Sequence, residues 1–426
     1  MSEPANEMRA PLLPEKKVAD ERHERTGSGT PLSTALNLAA TSMGTGLLTL
    51  PHTFARCGPL VGTGLLAVLS VTTDVTLILL VKMSRALGVH TFGALMRKLF
   101  GKGGSAVFQL TLISVLFLAL TAMQRVVLDL LPIFLESICG VEHGTVKPLA
   151  LSMVVNLFVI AACCSKNYHS LRFTSGAALL CLVPFVLALW RNTLRPDRPE
   201  PRPTSESISW EGFLLASPIL ASSLAGGHFS VMDMAAQLQP RYKESIYSVI
   251  HVVFLIVIPL CYVSVSWAGV ELFGADTPED ILVEFKGDSA MEVARGVLSF
   301  TNALRMPLIL MPLHTLVVDT LHLLSASSKE HEPPLLQAWR LVFGMPLLLL
   351  SSAVLAQWLS TLASILGLLG GTGGVIGCFC VPGAMYLKVH YKKEAPKSSS
   401  AYAICAAMAI VIGLAVVVSC CLSWVQ

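Results

Sequence analysis

The stretch Asn37-Leu-Ala-Ala-Thr41-Ser42-Met43-Gly44-Thr45-Gly46-Leu-Leu-Thr49-Leu-Pro51 is apolar enough for lipid yet is a poor helix at its centre. An interior Gly costs a helix about 1 kcal/mol and an interior Pro about 3. A second stretch carries the same fault: Pro218, then Ser222-Ser223-Leu-Ala225-Gly226-Gly227-His228, about 180 residues on. Two matched weak points in apolar segments decide how the rest of the chain is read.

Around them, the 426-residue chain is 54% hydrophobic and 13% charged, where soluble domains run at roughly 45–50% and ~25%. Mean hydropathy is +0.68. That is too little charge to coat a water-soluble surface, so the solvent is lipid. An ordinary soluble enzyme, a secreted disulfide scaffold and a disordered chain are excluded. The net charge of +3, without a basic stripe, argues against nucleic acid as a partner. Of the eleven cysteines, nine sit inside apolar runs, where Cys acts as a small hydrophobe. Cys57 and Cys139 fall near loops on one side, and a disulfide between them is open. No metal or organic cofactor is expected.

Residues 1–31 are polar and form a cytosolic tail; without an apolar h-region, no cleavable signal peptide is expected. From Leu32 onward, runs long enough to cross a ~30 Å hydrocarbon core follow one another. They give about eleven spans: 33–55, 60–82, 106–131, 148–164, 173–190, 212–238, 247–270, 291–318, 338–357, 360–388 and 401–424. Lipid offers no hydrogen bonds to the backbone, so the spans are helices. Lys82, Arg85, Arg97, Lys98, Lys102, Lys166, Arg172, Arg241, Lys243 and Lys388–Lys397 fall on one side; the loop 271–289 opposite is acidic. The basic side is therefore cytosolic and the N-terminus lies inside. The Arg-containing loop 191–211 fits this less cleanly.

The weak points open the first helix of each five-helix half, the pattern of a transporter with inverted repeats. The halves are 32–190 and 212–388, joined by the loop 191–211 and followed by a basic loop 389–400 and an eleventh helix, 401–426. Unwinding at Gly44-Thr45-Gly46 frees N–H groups and aims the N-terminus of a half-helix at the midplane, a seat for a carboxylate. Freed carbonyls around Ala225, Gly226 and Gly227 suit an ammonium. Together these describe a site for an α-amino acid. Thr41, Ser42 and Thr45 either offer hydroxyls to substrate or ion, or bond their own helix. The blander alternative is that the glycines only let helices pack closely.

The run Asn37–Gly58, with its Gly-x-Gly-Leu-Leu, resembles the first helix of the amino acid/auxin permease family, closest to its sodium-coupled neutral amino acid transporter branch. Asn167–Ser175, Gly227-His228 with Gln237-Leu238-Gln239-Pro240, and Pro382-Gly383-Ala-Met-Tyr386-Leu387 are similar to further motifs of that branch. The resemblance covers residues ~33–424. It implies an all-α membrane fold of the leucine-transporter type: a 5+5 inverted repeat plus one helix, working in secondary amino acid transport.

Two departures stand out against that branch. By register, its sodium-coordinating Asn falls at Ala40, and its eighth-helix threonines fall at Ala303 and Arg305, in a helix that also holds Asn302 and Pro307. Arg305 then either occupies or blocks the sodium position, making transport proton-coupled or exchange-driven, or lies off the site, where it snorkels or pairs with a carboxylate such as Asp129 or Asp233. His228 is the best proton-responsive group, since free imidazole titrates near 6.5, although such a His can also be plain packing. Asp233 counters Arg305, favours a cationic substrate or lines a vestibule. Asn37 and Asn302 complete the coupling candidates. Asp74 and Arg125 read as members of internal ion pairs. The Gly367–Gly377 run ends in no Gly-Lys-Ser/Thr and reads as close helix packing. An amino acid sensor with the same fold, or a sodium-coupled transporter, are the alternatives. The membrane, plasma or endolysosomal, and the oligomeric state stay open.

Overall fold

The computed structural model describes residues 29–89, 92–140, 142, 144–164, 171–196, 200–202, 209–285, 288–325, 334–359, 361–391 and 400–425. The tail up to residue 28, the start of the Asn167–Ser175 motif and most of the basic loop 389–400 lie outside that set.

The described residues are almost all helical. The first span is two short helices, α1 (Pro31–Ser42) and α2 (Leu50–Cys57), joined by a 3-10 turn, Thr45–Leu48. Then come α3 (Pro59–Leu87), α4 (Phe92–Cys139, bent at Gly101), α5 (Pro148–Cys164) and α6 (Leu171–Thr193). The second weak point separates α7 (Trp210–Leu224) from α8 (Val231–Gln237) by a 3-10 turn, Ala225–Phe229. The chain continues as α9 (Ser245–Phe273), α10 (Ile281–Glu284), α11 (Ser289–Ser325), α12 (Pro334–Trp358), α13 (Leu362–Tyr391) and α14 (Ser400–Val425). Among the described residues seven segments are long and apolar enough to cross a membrane, and each overlaps an expected span. Pro148–Ala161 and Phe343–Trp358 are shorter apolar helices.

Lipid is as apolar as Leu, so the helices are held together by fit rather than by hydrophobic force. Small residues supply the fit. A Cβ on Gly370 of α13 would fall 1.8 Å from the Pro218 carbonyl oxygen, and one on Gly212 of α7 would fall 2.1 Å from that of Arg56. α7 is thus clamped by α13 and α2 wherever their backbones touch. The Gly367–Gly377 run therefore works in packing, with π-helical turns at Gly370–Gly374 and Ile376–Cys380.

Two apolar cores result among the described residues. The larger surrounds both broken spans; the smaller joins Leu120, Met123 and Val127 of α4 to Met306 and Leu310 of α11 and Met345 of α12. Cys57 is buried, Cys139 is exposed, and both are free thiols, so no disulfide joins them.

Candidate functional site

The first break is built by strong local signals on either side of a weak one. Thr30 and Ser33 form a reciprocal capping box, and Pro31 opens α1. The helix stops at Ser42, because Met43 (φ −78, ψ 88) and Gly44 (φ −119, ψ −142) leave helical geometry. The N–H groups of Gly44, Thr45 and Gly46 donate to no described carbonyl. The Ser42 hydroxyl is buried without a partner, while the Thr41 hydroxyl donates back to Leu38 O at 2.9 Å. Asn37, expected among the coupling groups, is half-buried one turn earlier.

The second break is filled by its own neighbours. His228 is buried; its Nδ1 lies 3.1 Å from Ala225 O and its Nε2 2.8 Å from Thr76 Oγ1 on α3. A carbonyl only accepts, so Nδ1 carries the proton, and in the neutral ring Nε2 accepts from the threonine hydroxyl. Cys378 Sγ of α13 also donates to Ala225 O, at 3.4 Å. The Gly227 carbonyl accepts from Ser230 N and Oγ at 3.3 and 3.4 Å. The ammonium seat expected from free carbonyls at Ala225, Gly226 and Gly227 is therefore largely occupied from within.

The breaks lie against each other. A Cβ on Gly226 would fall 2.1 Å from Thr41 O, one on Gly46 2.2 Å from Ser223 Oγ, and one on Gly227 3.2 Å from Ser42 Oγ. The glycines thus serve both readings, unwinding and close packing, at one crossing. Tyr262 of α9 ties the crossing together. Its hydroxyl sits 3.1 Å from Ser42 O and 2.9 Å from Ser223 O, one phenol facing both breaks. Sequence reasoning missed Tyr262; its one signal was a polar tip inside an apolar span.

Arg305 comes from α11 to the same place. Its guanidinium donates to Ala40 O, and Nη1 lies 3.5 Å from Met43 O. These carbonyls sit at the C-terminal end of α1, where the helix dipole is negative. Neither expected carboxylate is its partner. Asp129 is held by Arg125 on its own helix, at 2.5 and 2.8 Å, and Asp233 sits on the exposed side of α8. One turn before Arg305, Asn302 donates to Leu298 O at 2.8 Å and leaves Oδ1 buried without a partner. Ser42 Oγ at the crossing and Asn302 Oδ1 one turn before Arg305 are orphaned atoms that a polar ligand would satisfy.

Each half-helix beyond a break has its own clamp. At the end of α8 the backbone is clamped by Gly29: Gly29 N donates to Gln237 O at 3.0 Å, and Gln239 N to Gly29 O at 3.1 Å. α2 is held by the loop 274–285: His52 Nδ1 donates to Thr277 O at 2.8 Å, and Pro51 packs near Gly269 and Ile281. In that loop, burial and the nearby Asp129 carboxylate push Asp280 up to about 7, against the pull of Leu282 N, Arg295 and Arg125. Buried Arg295 props the loop by donating to Leu282 O at 2.8 Å and to Phe285 O. Partial burial raises Asp288, but Asn192 and Arg191, at 2.8 and 2.6 Å, outweigh it and hold the group at about 2.

A groove of about 380 Å³ between α3 and α14, lined by Val68, Val71, Val75, Met408 and Ile412, is apolar and suits lipid rather than an amino acid.

Residues 27–424 match the family described as transmembrane amino acid transporter protein. Amino acid transporter AVT6B of Arabidopsis thaliana is 25% identical over 431 residues, covering 94% of this chain and 91% of that protein. AVT6A of the same plant is 26% identical, over 67% of this chain and 65% of its own length. Solute carrier family 38 member 10 of Mus musculus is 24% identical over 85% of this chain, which spans only 33% of that longer protein. In fold, the chain is similar to MHP1, a nucleobase-cation-symport-1 family transporter in a closed conformation. The TM-score is 0.58 at 12% identity, covering 93% of this chain and 92% of the other. A Na+-coupled sialic acid symporter in an outward-open state gives 0.54 at 13% identity, over 95% of this chain and 92% of that one.

Proposed function

The chain belongs to the transmembrane amino acid transporter family, and on that premise we propose that it moves neutral amino acids by alternating access, without a sodium ion at the first break. The fold is that of secondary transporters, and the protein is a multi-pass membrane protein. In this reading eleven spans form two inverted five-helix halves and a last helix, with the N-terminus cytosolic and the membrane either plasma or endolysosomal. A bundle of the first, second, sixth and seventh spans rocks against the rest.

The observation that carries the reading is the crossing of the two breaks. The N–H groups of Gly44, Thr45 and Gly46 form the carboxylate seat, at the positive end of the half-helix that follows. The hydroxyls of Ser42 and Thr45 and the Asn302 amide supply polar contacts, and Tyr262 fixes the distance between the breaks. The ammonium seat lies on what remains open around Gly226.

Arg305 supports sodium independence. The two carbonyls it engages, Ala40 and Met43, are three residues apart at the end of a half-helix and present the oxygen pair a bound cation would use. A guanidinium does not lose its proton, so it fills that place permanently. His228, with both ring nitrogens bonded, serves to close the second break.

Uptake of radiolabelled alanine and glutamine into proteoliposomes holding the full chain tests this directly. Sodium is replaced by choline, and a proton gradient is then imposed. Uptake persisting in choline is the expected result. Uptake abolished by choline overturns the assignment of Arg305, and no saturable uptake of any neutral amino acid overturns the transport reading itself.

A further inference from the structure

We propose that Asp74 of α3 and His251 of α9 form a proton-binding site within the membrane, through which transport couples to a proton gradient. The proposal deepens the transporter reading and rests on it.

Asp74 lies near the middle of α3, which runs Pro59–Leu87, roughly 20 Å from either end at about 1.5 Å per residue. Its side chain is 5% exposed, and both carboxylate oxygens face His251 Nδ1, at 2.9 and 3.0 Å. The imidazole is 50% exposed. Among the described residues, the other charged and titratable groups on the surrounding elements have other neighbours, and Asp233 of α8 sits on the exposed side of that helix. On α3 itself, Lys82 lies over Tyr402 of α14 and Tyr247 of α9. Arg85 holds Glu244 at 2.8 Å, and His228 of the second break is bonded to Thr76 and Ala225. Tyr386 and His390 of α13 stack on each other, and Cys405 of α14 lines the lipid groove. His251 is thus the group that answers the Asp74 charge.

Charge arithmetic then requires a proton. A carboxylate beside a neutral imidazole is a net negative charge in hydrocarbon, which is expensive there. One added proton makes the pair neutral overall, whether as carboxylate with imidazolium or as carboxylic acid with imidazole. Either form keeps a hydrogen bond across the same two atoms. The buried oxygens fix the proton between the two side chains.

Three further features fit a site that works by moving. α9 turns π-helical at Val252–Val257, starting with the residue after His251, and such turns are frequent at functional sites. Ser70 Oγ and Thr73 Oγ1, on the same helix as Asp74, are buried without partners. Two residues beyond Asp74, Thr76 reaches His228 and so the second break. Proton uptake and release thus change the charge held inside the rocking bundle, and α3 carries that change through Thr76 and His228 to the crossing.

The test uses the full chain in proteoliposomes with radiolabelled alanine and glutamine, in two modes. Counterflow at equal pH reports exchange, and net accumulation under an imposed one-unit pH gradient reports coupling. With one proton per substrate the gradient supports about tenfold accumulation. Asp74→Asn and His251→Gln are expected to lower the ratio of gradient-driven accumulation to counterflow by about that factor. Asp74→Glu restores it, and a lumenal pH dye reports the missing proton flux. Gradient-driven accumulation that survives in both Asp74→Asn and His251→Gln overturns the site. Wild-type counterflow without any response to the gradient also overturns it while leaving the transporter reading intact. Absent wild-type counterflow overturns the reading beneath it. If Asp74→Asn does not fold, His251→Gln and the dye signal of the wild type decide.

Discussion

The two broken spans start from similar sequence faults and end in opposite states. At the first, the backbone donors of Gly44, Thr45 and Gly46 are left open, and the carbonyls of Ala40 and Met43 are met by an arginine from another helix. At the second, the carbonyl of Ala225 is used twice, by His228 and Cys378, and the ring of His228 is itself tied to α3. A gap in a helix is therefore not by itself a binding site. Whether it stays open depends on what neighbouring helices bring to it, and here one break offers polar backbone while the other is closed by side chains.

The largest effect expected on this contrast comes from closing the distance between the breaks. Gly226→Ala places a Cβ against the Thr41 carbonyl, a rigid backbone atom. It should cost at least the upper end of the roughly 1–3 kcal/mol typical of overpacking, and abolish uptake. Gly46→Ala meets the Ser223 hydroxyl instead, and a partner change Ser223→Ala should recover part of its loss. Thermal unfolding of the purified protein, with uptake alongside, reads both. Equal tolerance of the two substitutions would break the picture of one tight crossing.

Removing the cation at the first break comes next. Arg305→Ala leaves the Ala40 and Met43 carbonyls unpaired, at about 1–3 kcal/mol for an orphaned buried group. The variant is expected to melt lower in choline and to regain part of the loss in sodium, because a small cation can take the vacated oxygens. No sodium response would mean that the pair is not a cation site.

A smaller effect separates the clamps. The bond from Gly29 to the end of α8 has no titratable group, whereas the loop over α2 contains Asp280. With Asp280 docked at about 7 and an undocked carboxylate near 3.8, the docked loop holds more protons between those values. Docking is thus fully favoured below about 3.8 and weakens as pH rises through 7. Hydrogen exchange of residues 274–285 should quicken between pH 5 and 8 while that of Gly29 and Gln239, corrected for intrinsic rate, stays level. Asp280→Asn should flatten the response. The smallest effect on transport is expected from His228→Gln, which loses stability with its buried bonds but retains the pH dependence of uptake. A flattened pH profile would instead return coupling to the second break.

Much of the architecture was legible residue by residue. Lipid solvation selects for apolar side chains at every spanning position, so composition alone marks the spans that became α3, α7, α9 and α14. Gly44, Gly46, Gly226 and Gly227 mark where helices stop, because helix propensity is a local property. The candidate site was half legible. The first helix breaks at Gly44-Thr45-Gly46, where the spacing placed the fault, but the carbonyls expected to be free at Ala225 and Gly227 are largely taken up by His228, Ser230 and Cys378. His228 and Ser230 are local partners, but Cys378 comes from a helix more than 150 residues further along the chain.

What the sequence determined by itself is therefore what lies in the membrane, where the helices break and which family the chain resembles. Only the tertiary structure decided which helix faces which: that Arg305 meets Ala40 rather than Asp129 or Asp233, that Tyr262 spans both breaks, and that Asp74 finds His251. The reason is physical. A helix that is apolar on all sides has no polar face to reveal its orientation. In lipid, where no hydrophobic force pairs the helices, register is set by small residues and isolated polar contacts between distant segments.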